Sequence, residues 1–110
     1  MRMVKVTILG TNLEAALLNP KVMKKFEDGV KEVVRKANDA KDNPVGSEGV
    51  EAQCNAVIDF IDDIFGKGSA RKVLGEETDL LTCLDAFAEL SKMYENQVNP
   101  TIIHEYEKIG

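Results

Sequence analysis

Asn19-Pro20-Lys21-Val22-Met23-Lys24-Lys25-Phe26-Glu27-Asp28-Gly29-Val30-Lys31-Glu32-Val33-Val34-Arg35-Lys36-Ala37 is the stretch on which the fold turns. Asn19 offers a side-chain acceptor to the free amides of a helix start, and Pro20 loses no hydrogen bond at the first helical position. Behind them Val22, Met23, Phe26, Val30, Val33, Val34 and Ala37 recur at intervals of three and four. That spacing predicts a helix from about 20 to 41 with one stripe turned to a core. Glu27 with Lys31, and Glu32 with Lys36, stand four apart in the favourable order, each pair contributing ~0.2–0.5 kcal/mol on a solvated side. Gly29 weakens the helix slightly.

Upstream the period changes to two. Val4, Val6 and Ile8 alternate with Lys5 and Thr7, the pattern of a half-buried strand. Gly10-Thr11-Asn12 supplies turn residues, and Leu13 to Leu18 returns as a second strand, although Ala15-Ala16-Leu17-Leu18 suits a helix equally well.

Downstream, Asp42-Asn43-Pro44-Val45-Gly46 breaks the chain, and Ser47 with Glu48 restarts it as a helix from about 48 to 65. Cys54, Val57, Ile58, Ile61 and Phe65 form its buried stripe, widened by Phe60 and Ile64 until it must touch two neighbours. Gly66-Lys67-Gly68-Ser69 stops that helix, Ser69 is expected to cap a short one, and Gly75 ends it. Val73 and Leu74 then plug the gap between the longer helices. Thr78 or Asp79 opens a third long helix to about Gln97, with Leu80, Cys83, Leu84, Phe87, Leu90 and Tyr94 at three-four spacing. Asn99-Pro100 repeats the Asn19-Pro20 signal, so a last helix carries Ile102, Ile103, Tyr106 and Ile109 on one face. Pro100 either starts that helix or kinks a longer one. The expected class is α+β, mostly α, in a single domain over 1–110. An N-terminal β-hairpin (about 3–18) packs on a bundle of three long helices plus short helical segments (about 20–109).

The length of 110 residues fits one domain, and 44% hydrophobic with 30% charged residues excludes a disordered chain. Fourteen basic against nineteen acidic residues give a net charge of -5, which repels phosphate backbones, so no nucleic-acid partner is expected. No signal peptide or run of ~20 apolar residues is read, so no membrane partner and a cytoplasmic location are expected. Charge is uneven along the chain: residues 1–50 hold nine basic and seven acidic residues (+2), and 51–110 hold five and twelve (-7). Such polarity steers a second copy head to tail, or a basic helix onto the acidic half.

Residues that carry chemistry are sparse. Asp59, Asp62 and Asp63 share one helix and approach a common cation only with help from Asp79 or Asp85, so they read as a solvated acidic face. His104 is the single imidazole, which rules out a His-Glu-x-x-His zinc site. Cys54 and Cys83 lie in apolar helical patterns and read as reduced, buried thiols rather than a disulfide. Gly66-Lys67-Gly68 follows no strand and reads as a turn, not a phosphate loop. No catalytic, cofactor-binding or metal-ligating residue is assigned, and no enzyme activity or cofactor is expected. Phe65, Leu74, Leu80, Leu84, Phe87 and Tyr94 are the candidate partner-binding residues, structuring a groove or the core.

Four stretches together carry a resemblance: Val4 to Gly10, Asn19 to Glu27, Phe60 to Gly75 and Asp79 to Phe87. Their order is similar to that of small tail-module proteins of phages and prophages of Gram-positive bacteria, the tail assembly chaperones. The most specific part is Phe65-Gly66-Lys67-Gly68-Ser69-Ala70, followed by a short helix and Gly75. The resemblance implies a non-enzymatic protein in the bacterial host cytoplasm that binds a long helical tape-measure protein while the tail assembles. The alternative is a phage structural or morphogenetic subunit that self-associates as a homo-oligomer through its hairpin edge or last helix.

Overall fold

The computed structural model describes residues 1–42 and 46–110; Asn43, Pro44 and Val45, at the expected break between the first two helices, lie outside the described residues. Two strands, β1 (Val4–Ile8) and β2 (Thr11–Ala15), precede α1 (Pro20–Asp42), α2 (Gly46–Phe65), α3 (Ser69–Leu74) and α4 (Leu80–Met93). A π-helical segment, Tyr94–Val98, joins α4 to α5 (Asn99–Ile109). The class is α+β, mostly α, with the small antiparallel sheet packed on the helices.

The hairpin is tighter than the turn residues suggested. Ile8 pairs directly with Thr11, so the loop is only Leu9-Gly10, and Thr11 and Asn12 already belong to β2. Both loop residues have positive φ, 48° at Leu9 and 80° at Gly10, as the twist of a two-residue turn requires. A leucine there costs roughly 1–2 kcal/mol. The strain is offset by two ties to the helices: the Leu9 N–H donates to Glu89 Oε2 at 3.1 Å and Thr11 Oγ1 donates to the Lys72 carbonyl at 3.2 Å. The second strand stops at Ala15, short of the expected Leu18, because the chain turns at Ala16, whose carbonyl accepts the Asn19 N–H at 3.0 Å. Val6, Ile8, Leu13 and Ala15 nonetheless fill the inner face as alternation requires.

Asn19 caps α1 as read, its Oδ1 accepting the Lys21 N–H at 3.0 Å. The surface pairs of α1 rearrange, with Arg35 taking both Glu32 (2.7 Å) and Asp39 (3.1 Å), while Lys24 takes Asp28 (3.3 Å). All of these are exposed and stabilise little. Because α2 begins at Gly46, Ser47 sits inside its first turn instead of capping it. Ser69 does not cap α3 either: its hydroxyl donates to the Phe65 carbonyl at 3.1 Å. The cap comes from α2, where Asp62 Oδ1 accepts the Ala70 N–H at 2.8 Å across the Gly66–Gly68 corner. Val73 and Leu74 are buried beneath it.

The helix opened by Asp79 does not end at Gln97. Asn99 is helical (φ -60°, ψ -45°), and its N–H reaches back five residues to the Tyr94 carbonyl. Pro100 therefore does not start a separate helix. It lacks an N–H and would crowd the Asn96 carbonyl in a regular α-helix, and the widened turn before it relieves both problems. Thr101 Oγ1 donates to the Gln97 carbonyl at 2.7 Å, and Gln97 Nε2 donates to the Lys5 carbonyl at 3.1 Å, which moors the wide turn to β1.

One core joins the hairpin to the helices, with Ile8, Leu17, Ile61 and Leu90 fully buried at its centre. Each contributes ~1.5–3 kcal/mol by leaving water. The α1–α2 contact is set by Gly29, over which the Phe60 ring lies so closely that a Cβ would run into its Cδ1 and Cε1. The glycine thus does more than weaken α1: it makes room for the ring.

Two outcomes follow. Gly29→Ala raises helix propensity by ~0.8–1 kcal/mol. Phe60 could give way only by loosening its contacts with Phe26 and Phe87, so overpacking of ~1–3 kcal/mol is expected to outweigh that gain, and urea denaturation should show net destabilisation. Asp79 accepts the Thr82 N–H at 2.8 Å and the Thr82 hydroxyl at 2.9 Å, and these bonds hold its carboxyl below the ordinary aspartate value of 3.8. A folded value below the unfolded one means the stabilisation is complete above the unfolded range and lost as pH falls through the folded one. The stability gap between the native chain and Asp79→Ala, followed by thermal melting, should therefore narrow below about pH 4.

Candidate functional site

Four aromatic rings run in series across the helices. Phe87 on α4 meets Phe60 on α2 edge-on with centroids 5.9 Å apart, and Phe60 meets Phe26 on α1 at 4.9 Å and 70°. Phe26 then stacks on Tyr94 at 4.3 Å and 19°. Such pairs contribute ~0.5–1.5 kcal/mol beyond the area they bury. The last pair joins α1 to the π-helical segment through side chains, and a groove of about 400 Å³ lies along it. Phe26, Val30 and Tyr94 line its apolar part, with Glu27, Lys31 and Glu95 among its polar residues.

The Tyr94 hydroxyl is buried and has no hydrogen-bond partner among the described residues. Burial, and then the nearby charge of Glu27, push its phenol above the ordinary tyrosine value. A buried donor without an acceptor costs ~1–3 kcal/mol, and here it belongs to a residue that lines the groove.

Of the six residues singled out in the sequence, Phe87 and Tyr94 belong to this aromatic series, but the six do not form one surface. Leu74 is buried at the α2–α3 corner, beside a smaller cleft it shares with Ile58 and Thr78. Phe65 is half-buried against the core at the end of α2, and Leu80 and Leu84 are half-buried on the first turns of α4. The residue that sequence reasoning passed over is Val30, assigned like Phe26 to the core-facing stripe of α1 but only half-buried. Only Phe26 and Val33 of that stripe are buried, while Val34 is largely exposed. The signal was its width, since seven apolar positions cover more of a helix than one neighbour can bury.

The remaining polar groups have structural partners. Asp62 caps α3, and Asp63 pairs with Lys25 at 3.6 Å on the rim of an open α1–α2 cleft. Among the described residues no three His, Cys, Asp or Glu side chains converge on a metal-sized space. Cys54 and Cys83 are free thiols on facing helices. Desolvation, reinforced by Cys83, pushes the Cys54 thiol up to about 11, which leaves little thiolate for nucleophilic work. No helix among the described residues is long and apolar enough to cross a membrane.

The orphaned hydroxyl gives a direct test. Tyr94→Phe keeps the ring stack and removes the unsatisfied donor, so stability to urea should rise by about 1 kcal/mol. A loss of that size would mean that the hydroxyl is satisfied in solution.

Comparison with known proteins adds one finding. No curated protein and no solved structure matches the chain. A model described as a family of unknown function (DUF6673) matches residues 9–108, from the hairpin turn to the last turn of α5. The chain belongs to that family.

Proposed function

We propose that this protein is a non-enzymatic, tail assembly chaperone-like module that binds an amphipathic helix of a tape-measure protein in the host cytoplasm. The observation that carries the reading is the groove along Phe26, Val30 and Tyr94, an apolar trough between two helices with charged residues around it. Amphipathic helices dock into such troughs through apolar anchors spaced at three and four residues. The order of the four sequence stretches that resemble tail assembly chaperones supports the same class of partner. The net charge of -5 suits a protein that keeps an aggregation-prone client in solution.

In this reading Val30 and Tyr94 touch the client, and the buried Phe26, backed by Phe60 and Phe87, holds the Tyr94 ring in place behind them. Leu74 and Phe65 stabilise the α2–α3 corner without touching it. The test is co-expression with a helical fragment of a phage tape-measure protein. The fragment should become soluble and co-purify with the native chain, and Val30→Asp should reduce its recovery at least tenfold, the cost of about 1.4 kcal/mol of binding. Equal insolubility of the fragment with and without this protein would overturn the reading.

A further inference from the structure

Both cysteines of the chain come to one contact between α2 and α4. Cys83 lies in the first turn of α4, where its N–H donates to the Asp79 carbonyl at 3.1 Å, and it is fully buried. Its Sγ is 3.6 Å from the Thr78 hydroxyl, and Thr78 shares the α2–α3 corner cleft with Ile58, one turn beyond Cys54 on α2. The stretch from Thr78 to Cys83 therefore lies against the part of α2 that holds Cys54. Across that contact the two thiols are hydrogen-bonding neighbours.

The two sulfurs differ in access. Cys54 keeps some solvent exposure, whereas Cys83 has none. A small oxidant reaches Cys54 first, and the sulfur best placed to complete a bond to it is that of Cys83. Burial, together with Cys83 and Asp79 as the titratable groups that bear on it, keeps the Cys54 thiol protonated at neutral pH. Only the thiolate attacks, so the pair reacts slowly and stays reduced until oxidant accumulates.

We propose that Cys54 and Cys83 form a peroxide-responsive pair that closes a reversible disulfide between α2 and α4. The Cys54 thiolate attacks one oxygen of hydrogen peroxide, the O–O bond breaks, and Cys54 becomes a sulfenic acid while the departing hydroxide leaves as water with the proton the thiol gave up. The Cys83 sulfur then attacks the Cys54 sulfur, the S–O bond breaks, and the hydroxyl leaves as a second water with the Cys83 proton. Two thiols lose two electrons in all, and one peroxide is reduced to two waters. A dithiol reductant reverses the bond by exchange. The disulfide joins the two helices that carry Phe60 and Phe87, so oxidation clamps the ring contact behind the groove without occupying the groove. It needs no tape-measure client, and it stands or falls separately from the proposed function.

The experiment exposes the full native chain to hydrogen peroxide, removes the excess with catalase, alkylates the remaining thiols in urea and maps the cysteine peptides by mass spectrometry. Met1 and Met3 are exposed and take up oxygen on their own, so their oxidation gauges the dose. The Cys54 and Cys83 peptides should be recovered linked within one chain, and both should be alkylated once dithiothreitol has been added. The folded-to-unfolded ratio in urea should rise about tenfold or more on oxidation, a modest yield for closing a loop of about 30 residues. Cys83→Ala should leave Cys54 as a sulfenic acid that dimedone captures, a species the native chain does not retain. Two alkylatable thiols in the native chain at a dose that oxidises Met1 and Met3 would overturn the proposal. So would Cys54 carried on to sulfinic acid beside a free Cys83, a link between two chains, or a linked chain less stable than the reduced one.

Discussion

The approach of Phe60 to the bare backbone at Gly29 is the constraint on which the remaining architecture depends. It fixes the distance between α1 and α2 at a position where no side chain intervenes. The ring so placed meets Phe26 on one side and Phe87 on the other, which ties α1 to α4 through α2. Phe26 in turn supports Tyr94, so the wall of the groove is set by a contact two rings away. Close-packed interiors transmit displacements of this kind, because a ring without free volume passes its shift to the next one.

Much of this was legible in the sequence. The switch from period two to period three-four at Asn19 located the hairpin and α1, and Asn19 caps as its chemistry dictates. Asp79 and Gly75 likewise stand where the helix signals put them. Local rules failed where long-range bonds took over. Ser69 has a capping side chain, but Asp62, eight residues away, reaches the amide at Ala70 first. Leu9 bears a positive φ that leucine disfavours, because Glu89 captures its amide from eighty residues away.

The groove was harder to read than the fold. Periodicity separates apolar faces from polar ones, but it cannot separate an apolar residue with a neighbour from one without. Phe26 and Val33 found that neighbour, Val34 did not, and nothing in their spacing distinguishes them. The same limit explains why Leu74 and Tyr94 were grouped together although one is interior and the other lines an opening. An Asn-Pro pair was equally ambiguous. At Asn19-Pro20 it starts a helix, while at Asn99-Pro100 a helix already stabilised by Met93 and Val98 in the core continues through it.

The wide turn at Tyr94–Val98 makes the heading of α5 a matter of a single residue. A π turn is an α-helical turn holding one residue more than it needs, so deleting any one of the five would return the helix to a regular path. Residues beyond it would keep nearly their present bearing, because the wide turn sweeps about the angle of a regular turn with one residue more, whereas closing it with all five residues kept would carry Tyr106 roughly a quarter-turn from the side it now occupies. The side on which the terminal helix presents its apolar residues therefore depends on whether this turn stays wide, even with those residues unchanged.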